Sequence, residues 1–253
     1  MLKVGINGYL GAMGQVIAKE IKENKEMSLV VGIDKKAIEN DKNNIKVYDN
    51  ISDIKEELDV IIDFSHPSSL EPILKFASEN NIALVIGTTG LENEHIEKIK
   101  AASDKIAIFY SANMSLGVNL LLSLVKKSAN LLGDSFDIEI IEKHHNKKID
   151  APSGTAYMIA DSINETLNNS KNYVYNRHDK SLKREKNEIG IHSIRGGTVV
   201  GEHTAIFAGP DEVIEITHSA ASKKIFAQGA LKATEFIINK DNGLFNMDDL
   251  INN

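Results

Sequence analysis

At 253 residues the chain is long enough for one large or two modest domains. Its 42% hydrophobic and 26% charged residues, with 17 Gly and 4 Pro, exclude a disordered or low-complexity chain. The absence of cysteine removes disulfides, thiolate zinc sites, iron–sulfur clusters and cysteine nucleophiles together, so any metal would need His and carboxylates. The 36 acidic against 29 basic residues give a net charge of −7, which repels a polyanion such as nucleic acid and leaves room for a local basic site for a small anion.

The N-terminus enters a strand directly, with no basic region leading into an apolar stretch, which predicts a cytoplasmic protein. No apolar run approaches the roughly 20 residues of a membrane span. β-rich runs at 2–7, 29–34, 59–64, 82–86 and 105–110 alternate with helical patterns at 12–23, 68–80 and 92–103, where apolar residues recur every three or four positions. This alternation predicts an α/β domain, a Rossmann-type doubly wound parallel sheet. Residues 35–53, rich in Lys, Asn and Asp, read as a solvated connection around a short strand at 46–48.

After Asn113 the pattern changes to a helix over 115–132 capped by Ser115, a strand over 136–142 and a second helix from Ser153. Gly196 and Gly197 read as a hairpin turn joining strands 189–195 and 198–207, and Gly209-Pro210-Asp211 as another turn ahead of a strand at 213–219. Tight turns imply antiparallel neighbours, so the second domain is expected to be α+β, built on an open, mostly antiparallel sheet with a second face in need of cover. A last helix over 223–239 returns to the first domain, and the polar stretch 168–187 reads as a mobile loop. The expected division is a dinucleotide-binding domain of residues 1–114 and 222–253 and a substrate-binding and oligomerisation domain of residues 115–221.

The segment from Gly8 through Tyr9, Leu10, Gly11, Ala12 and Met13 to Gly14 follows the first strand and opens the first helix. Small residues there let backbone N–H groups approach a pyrophosphate at the positive end of the helix. Asp34, twenty residues beyond Gly14 at the end of the second strand, stands where a carboxylate accepts ribose hydroxyls. An acid favours a free 2′-hydroxyl, whereas Lys35 and Lys36 beside it can pair with a 2′-phosphate, so both NADH and NADPH are expected to bind. Gly87, Thr88, Thr89 and Gly90 follow the fourth strand, and Ser111, Ala112, Asn113 and Met114 follow the fifth; both loops lie beyond carboxyl ends of strands, where such sheets bind ligands.

The densest chemistry runs from Glu142 to Ala156. Lys143, His144, His145, Lys147 and Lys148 repel one another, which an anionic ligand would relieve, and Ser153-Gly154-Thr155 start a helix whose free N–H groups favour carboxylate or phosphate. This predicts a small dianion held over a proton-donating His. Composition by itself favours a plainer reading, a solvated basic loop ahead of a Ser-capped helix. No metal is expected, because adjacent histidines on a strand point to opposite faces and no H-E-x-x-H is present.

Taken in order, the loop from Gly8 to Gly14, Gly87-Thr88-Thr89-Gly90, residues 112–119, the H-H-x-x-K-x-D-A-P-S-G-T core from His144 to Thr155 and Gly201-Glu202-His203 resemble the 4-hydroxy-tetrahydrodipicolinate reductase (dihydrodipicolinate reductase) family. The resemblance implies an NADH- or NADPH-dependent oxidoreductase of diaminopimelate and lysine biosynthesis, a homotetramer acting on a cyclic imine dicarboxylate. It implies that His144 is the proton donor or acceptor and Lys148 the second proton donor, with His145, Gly154 and Thr155 on the substrate carboxylates. It also implies that Gly8 to Met13, Asp34, Gly87 to Thr89 and Ser111 to Met114 line the cofactor. Two positions depart from the family pattern. Lys223, in Ser222-Lys223-Lys224-Ile225-Phe226-Ala227, stands where Arg is common, which replaces bidentate guanidinium contact with substrate by a single ammonium. Ala12 stands where an Arg often precedes Met-Gly, which leaves one fewer cation near the cofactor phosphates. A dinucleotide sensor without chemistry and an amino-acid dehydrogenase of related architecture compete with this reading. The intact His144 and Lys148 argue against the sensor, and turnover of the cyclic imine separates all three.

Overall fold

Buried apolar strands and amphipathic helices follow one another in chain order in the computed structural model, which describes residues 1–36, 41, 44–178 and 182–252. The first stretch runs β1 (Leu2–Asn7), α1 (Ala12–Glu23), β2 (Met27–Ile33), β3 (Lys46–Tyr48), β4 (Val60–Asp63), α2 (Leu70–Asn80), β5 (Ala83–Ile86), α3 (Asn93–Ser103) and β6 (Ala107–Tyr110). Then come α4 (Leu116–Leu132), β7 (Asp137–His144), α5 (Gly154–Thr166), β8 (Asn172–Val174), β9 (Glu188–Arg195), β10 (Gly201–Ala208) and β11 (Val213–Ala220). The chain finishes with α6 (Lys224–Ile237), β12 (Gly243–Phe245) and α7 (Met247–Ile251). Two compact units result, Met1–Leu116 with Lys223–Asn253 and Gly117–Ser222. No helix among the described residues is long and apolar enough to cross a membrane.

In the first unit seven strands lie in the order β12-β6-β5-β4-β1-β2-β3, all pairs parallel. The chain direction across the sheet reverses between β1 and β4, the topological switch point where open α/β sheets take ligands. Val60, Ile61 and Ile62 have no exposed surface, because helices cover both faces of a parallel sheet. Period-two alternation sends Val4, Ile6, Ile62, Val85 and Phe109 to one core with α1 and α6, and Val31, Ile61, Leu84 and Ile108 to the other with α2 and α3. Residues 67–69 form a 3₁₀ turn, with Pro67 in its first turn and the His66 ring accepting from the Ser68 N–H, so the helix expected from 68 starts at Leu70. Strand β12 and helix α7 had no sequence expectation. Three strand residues are too few to show a period, although Asn246 and Asp249 form a capping box at α7.

In the second unit the sheet order is β11-β10-β7-β9-β8. Strand β10 is antiparallel to β7 and β11, whereas β9 is parallel to β7 and β8, so the sheet is mixed. This corrects the hairpin expected at Gly196-Gly197: β9 and β10 do not pair, because β7 lies between them. The Gly196 N–H donates to the His144 carbonyl and the Asn146 N–H to the Gly197 carbonyl, so the diglycine turn clasps the end of β7. The turn at 209–211 does join antiparallel neighbours, closed by the Gly209 N–H on the Glu212 carbonyl.

Leu121 and Val125 of α4 and Ile159 and Ile163 of α5 pack on Ile138, Ile140, Ile191 and Phe207. The other face of the sheet, carrying Ile141, Ile194, Ile206 and Val213, has no helix of this unit over it among the described residues. The mobile loop expected over 168–187 is also corrected. Residues 172–174 form β8, Lys171 is buried with its ammonium on the Lys186 carbonyl, and Arg177 and Arg184 both donate to Glu139. Residues 179–181 of that stretch, and 37–40 and 42–43 of the expected connection 35–53, lie outside the described residues.

Candidate active site

In the first unit, the loop between β1 and α1 turns through Gly8 at φ +80°, and a Cβ there would lie 2.4 Å from the Phe64 carbonyl oxygen. A Cβ on Gly14 would lie 2.2 Å from the Gly8 carbonyl oxygen, so only glycine lets the loop fold this tightly onto the helix. Gly11 occupies the N-cap of α1 with no side chain to satisfy the first-turn N–H groups, which leaves them available to an anion. Asp34 closes over this loop: Oδ2 accepts from the Leu10 N–H at 3.0 Å and Oδ1 from the Lys36 N–H at 3.3 Å. A cleft of about 360 Å³ is lined by Asn7, Gly8, Gly11, Asp34, Lys35, Phe64, Ser65, His66 and Ser69. A glycine cradle, uncapped helix N–H groups and a carboxylate fixed beside them fit a dinucleotide.

The remaining first-unit candidates divide by orientation. Tyr9 turns inward, its ring fully buried and its hydroxyl bonded to Asp41, while Leu10 and Met13 pack on the core and Ala12 is exposed. Thr88 is buried with its hydroxyl on Asp63 at 2.7 Å, whereas Thr89 is exposed. The Ser111 hydroxyl donates to the Asn113 carbonyl, the Asn113 side chain accepts from the Ser115 N–H, Met114 is buried and Ala112 is exposed. Lys223 is exposed and belongs to this first unit, at the N-terminal end of α6. Phe64, Ser65 and His66 escaped sequence reasoning. Their signal was present, since they follow β4 at its carboxyl end, where such sheets bind ligands.

In the second unit, alternation along β7 puts Ile138, Ile140, Glu142 and His144 on the helix-covered face, so the carboxylate and imidazole share a buried edge. Glu142 Oε2 pairs with His144 Nδ1 at 2.5 Å. The Arg195 guanidinium, opposite His144 in parallel register on β9, grips both Glu142 oxygens at 2.7 Å and donates to the Asp150 carbonyl at 2.6 Å. Burial pushes the Glu142 carboxyl up, but hydrogen bonds from Arg195, Ser193 and His144 outweigh it and bring the pKa down to about 2. Carboxylate on Nδ1 fixes the tautomer and leaves Nε2 as the nitrogen that exchanges a proton. A Cβ on Gly201 would lie 3.0 Å from that Nε2, so glycine keeps its approach open.

Ser153 caps α5, its hydroxyl oxygen accepting from the Ala156 N–H at 3.2 Å and lying 2.8 Å from His203 Nε2. The His203 ring meets His144 edge-on at 5.1 Å between centroids, and burial followed by the neighbouring His144 lowers its pKa to about 4. Lys148 lies 2.8 Å from Asp150, and its N–H donates to the His145 carbonyl. His145 Nδ1 is buried with no partner among the described residues. Gly154 is exposed at the start of α5 and Thr155 is half-buried. His144, His145, Lys148, Gly154 and Thr155 therefore share this unit, and Arg195, Glu142, Ser153 and His203 are the supports that sequence reasoning did not assign. Their arrangement is a proton-transfer group beside a helix N-terminus suited to a carboxylate.

Two family profiles match the chain: "Dihydrodipicolinate reductase, N-terminus" over residues 2–114 and "Dihydrodipicolinate reductase, C-terminus" over residues 117–251. The 4-hydroxy-tetrahydrodipicolinate reductase of Caldanaerobacter subterraneus subsp. tengcongensis is 52% identical over 251 residues, 99% of this chain and 98% of that one. The 4-hydroxy-tetrahydrodipicolinate reductase of Clostridium tetani is 45% identical over 252 residues, 100% of this chain and 98% of that one. Among solved structures, dipicolinate-bound dihydrodipicolinate reductase from Paenisporosarcina sp. TG-14 superposes with a TM-score of 0.77 at 27% identity, covering 97% of each chain.

Proposed function

The chain belongs to the dihydrodipicolinate reductase family, and from that premise we propose that it reduces 4-hydroxy-tetrahydrodipicolinate to tetrahydrodipicolinate in diaminopimelate and lysine biosynthesis, with NADH or NADPH as reductant. The first unit holds the dinucleotide through Gly8 to Met13, Asp34, Lys35, Gly87 to Thr89 and Ser111 to Met114, and the second unit holds the substrate. The observation that carries this reading is His144 braced by Glu142 beside the N-terminus of α5.

Loss of the 4-hydroxyl as water leaves a conjugated cyclic imine. The reduced nicotinamide supplies the hydride to that system. His144 delivers the accompanying proton from Nε2, and the ionised Glu142 stabilises the imidazolium from which it leaves. Lys148 is the second proton donor. N–H groups at Gly154 and Thr155 hold a substrate carboxylate with His145. A coupled assay that makes the substrate in place from pyruvate and aspartate semialdehyde, then follows the dinucleotide's absorbance, tests this directly. Binding without turnover, or oxidation of an amino acid in its place, would overturn it.

Both dinucleotides are expected to serve, with NADH equal or somewhat preferred. Asp34 accepts ribose hydroxyls and repels a 2′-phosphate, and Lys35 in the same cleft offsets that repulsion. Asp34→Ala should impair NADH use more than NADPH use and Lys35→Ala the reverse, each by about 1–2 kcal/mol in transition-state binding. The ratio of kcat/KM for the two dinucleotides across the three proteins is the readout, and an unchanged ratio in both variants would place the ribose elsewhere.

The sheet face carrying Ile194 and Val213, 49% and 59% exposed, supports a homotetramer in which symmetry-related copies cover it. Light scattering at micromolar concentration should return four times the chain mass of 27.8 kDa, and a stable monomer would rule the assembly out.

A further inference from the structure

Beneath the dinucleotide cleft lies a carboxylate that no step above uses. Asp63 is the last residue of β4, at the switch point beside β1, and has no exposed surface. Its Oδ1 accepts from Asn7 Nδ2 at 2.7 Å and from the Ser65 hydroxyl at 2.5 Å, and its Oδ2 accepts from the Thr88 hydroxyl at 2.7 Å. Asn7 ends β1, Ser65 follows β4 and Thr88 follows β5, so one side chain ties the carboxyl ends of three adjacent strands.

A second ring of bonds surrounds the first. The Ser65 N–H donates to the Thr88 hydroxyl oxygen at 2.9 Å, the Ser69 hydroxyl donates to the His66 carbonyl at 2.9 Å, and Asn7 Nδ2 reaches the Ser69 hydroxyl at 3.1 Å. With its oxygen accepting from Ser65, Thr88 commits its one proton to Asp63. Asn7 Nδ2 and the Thr88 hydroxyl therefore reach Asp63 as donors on its two different oxygens, while the Ser65 hydroxyl, 2.5 Å from both Asp63 Oδ1 and the Ser69 hydroxyl, has one proton to give to either. Asp63 makes no ion pair among the described residues. Burial holds its pKa above the usual carboxylate range, against the hydrogen bonds from Ser65, Thr88 and Asn7. A buried carboxyl with no cation beside it is an expensive way to tie strands together if stability is all that is served.

The cleft shows where the rigidity goes. Asn7, Ser65 and Ser69 line it and hang directly on this network, and Phe64 and His66 are carried on the same loop. We propose that Asp63 is the positioning residue of the dinucleotide cleft, fixing the 64–66 loop and the β1 and β5 ends in the geometry that binds the cofactor. The proposal rests on reading the first unit as the dinucleotide site. It also reassigns the Thr88 hydroxyl, which acts through Asp63 and not on the cofactor.

The test measures the dissociation constant for NADH by protein fluorescence, alongside urea unfolding and steady-state kinetics. In Asp63→Asn the amide brings N–H groups into a site where donors already point, so at least one strand end is released; NADH should bind about 10- to 100-fold more weakly, a charged hydrogen bond's worth. The loss should fall on KM for the dinucleotide, with kcat at saturation changing far less. Thr88→Val should weaken NADH binding in the same direction, and Thr88→Ser, which restores the hydroxyl, should recover it. That pair decides the matter should Asp63→Asn fail to fold. Wild-type NADH affinity in a folded Asp63→Asn, or in Thr88→Val, would reduce the network to a fold-stabilising knot and overturn the proposal. A wild-type protein that binds neither NADH nor NADPH would instead overturn the cofactor reading, and the proposal with it.

Discussion

Replacing His144 by Gln should lower kcat by about 10²- to 10⁴-fold, the usual worth of a positioned general acid, while leaving the NADH dissociation constant near its wild-type value. The glutamine amide can still hydrogen-bond to Glu142 but carries no exchangeable charge, so the pocket is preserved and the proton source is removed. Affinity for the dinucleotide should persist because His144 lies in the second unit, whereas the cleft with Gly8, Asp34 and Phe64 lies in the first. Lys148→Ala should act in the same direction. Its ammonium is 2.8 Å from Asp150, an exposed carboxylate that its removal strands at little cost to stability. Steady-state rates at saturating substrate, paired with NADH titrations, separate the two quantities. Wild-type turnover in both variants would remove His144 and Lys148 from the chemistry.

Why some of this was legible in the sequence and some was not follows from the range of the interactions involved. The turn from β1 into α1 is local: Gly8, Gly14 and the apolar period of α1 lie within one short segment, and backbone sterics decide the outcome. Gly196-Gly197 was equally local and misled, because a tight turn reports a change of direction and not the partner on either side. Strand β7, some fifty residues earlier, takes that place between β9 and β10. The segment 168–187 looked mobile for a related reason. Its Arg177 and Arg184 are held by Glu139 on β7, an ion-pair network that composition cannot reveal. The reacting pair showed the same split. His144 and Lys148 stood in a dense motif, whereas Glu142 as the brace on His144 required knowing that β7 alternates inward at 142 and 144 and that β9 delivers Arg195 beside them. Tyr9, adjacent to the glycine turn in sequence, points into the core, since alternation past a strand end does not fix which way a side chain goes.

Arg195→Ala should destabilise the second unit by about 3–5 kcal/mol at pH 7, because it leaves the Glu142 carboxylate buried without its cation. The Glu142 side chain has no exposed surface, and two 2.7 Å bonds from Arg195 are what hold it ionised against burial. The pH dependence has a definite sign. The folded pKa of Glu142, about 2, lies below the ordinary value of 4.5, so the unfolded chain takes up a proton first. The stability this carboxylate contributes is therefore complete above about pH 4.5 and is lost as pH falls toward 2, amounting to about 3 kcal/mol over that window. Without Arg195, burial governs and the carboxyl pKa rises, so the variant has no such contribution to lose on acidification. The stability gap between wild type and Arg195→Ala should accordingly be widest at neutral pH and narrow between about pH 4.5 and 2. His203 also responds to acid. Its lowered pKa, about 4, makes stability fall as pH drops from 6.5 toward 4, but the groups that set it are burial, His144, Glu142, His218 and Lys148. Because Glu142 is one of those groups, the His203 contribution cancels only while Glu142 is ionised in both proteins, so the gap at pH 7 reports the Arg195–Glu142 pair and its narrowing at lower pH reports Glu142 together with His203. Urea unfolding of the two proteins at pH 7, 5 and 3 measures the gap. A gap that is absent at pH 7, or that stays constant down to pH 3, would mean that Glu142 is not held ionised by Arg195, and the account of His144 as a residue braced by that carboxylate would go with it.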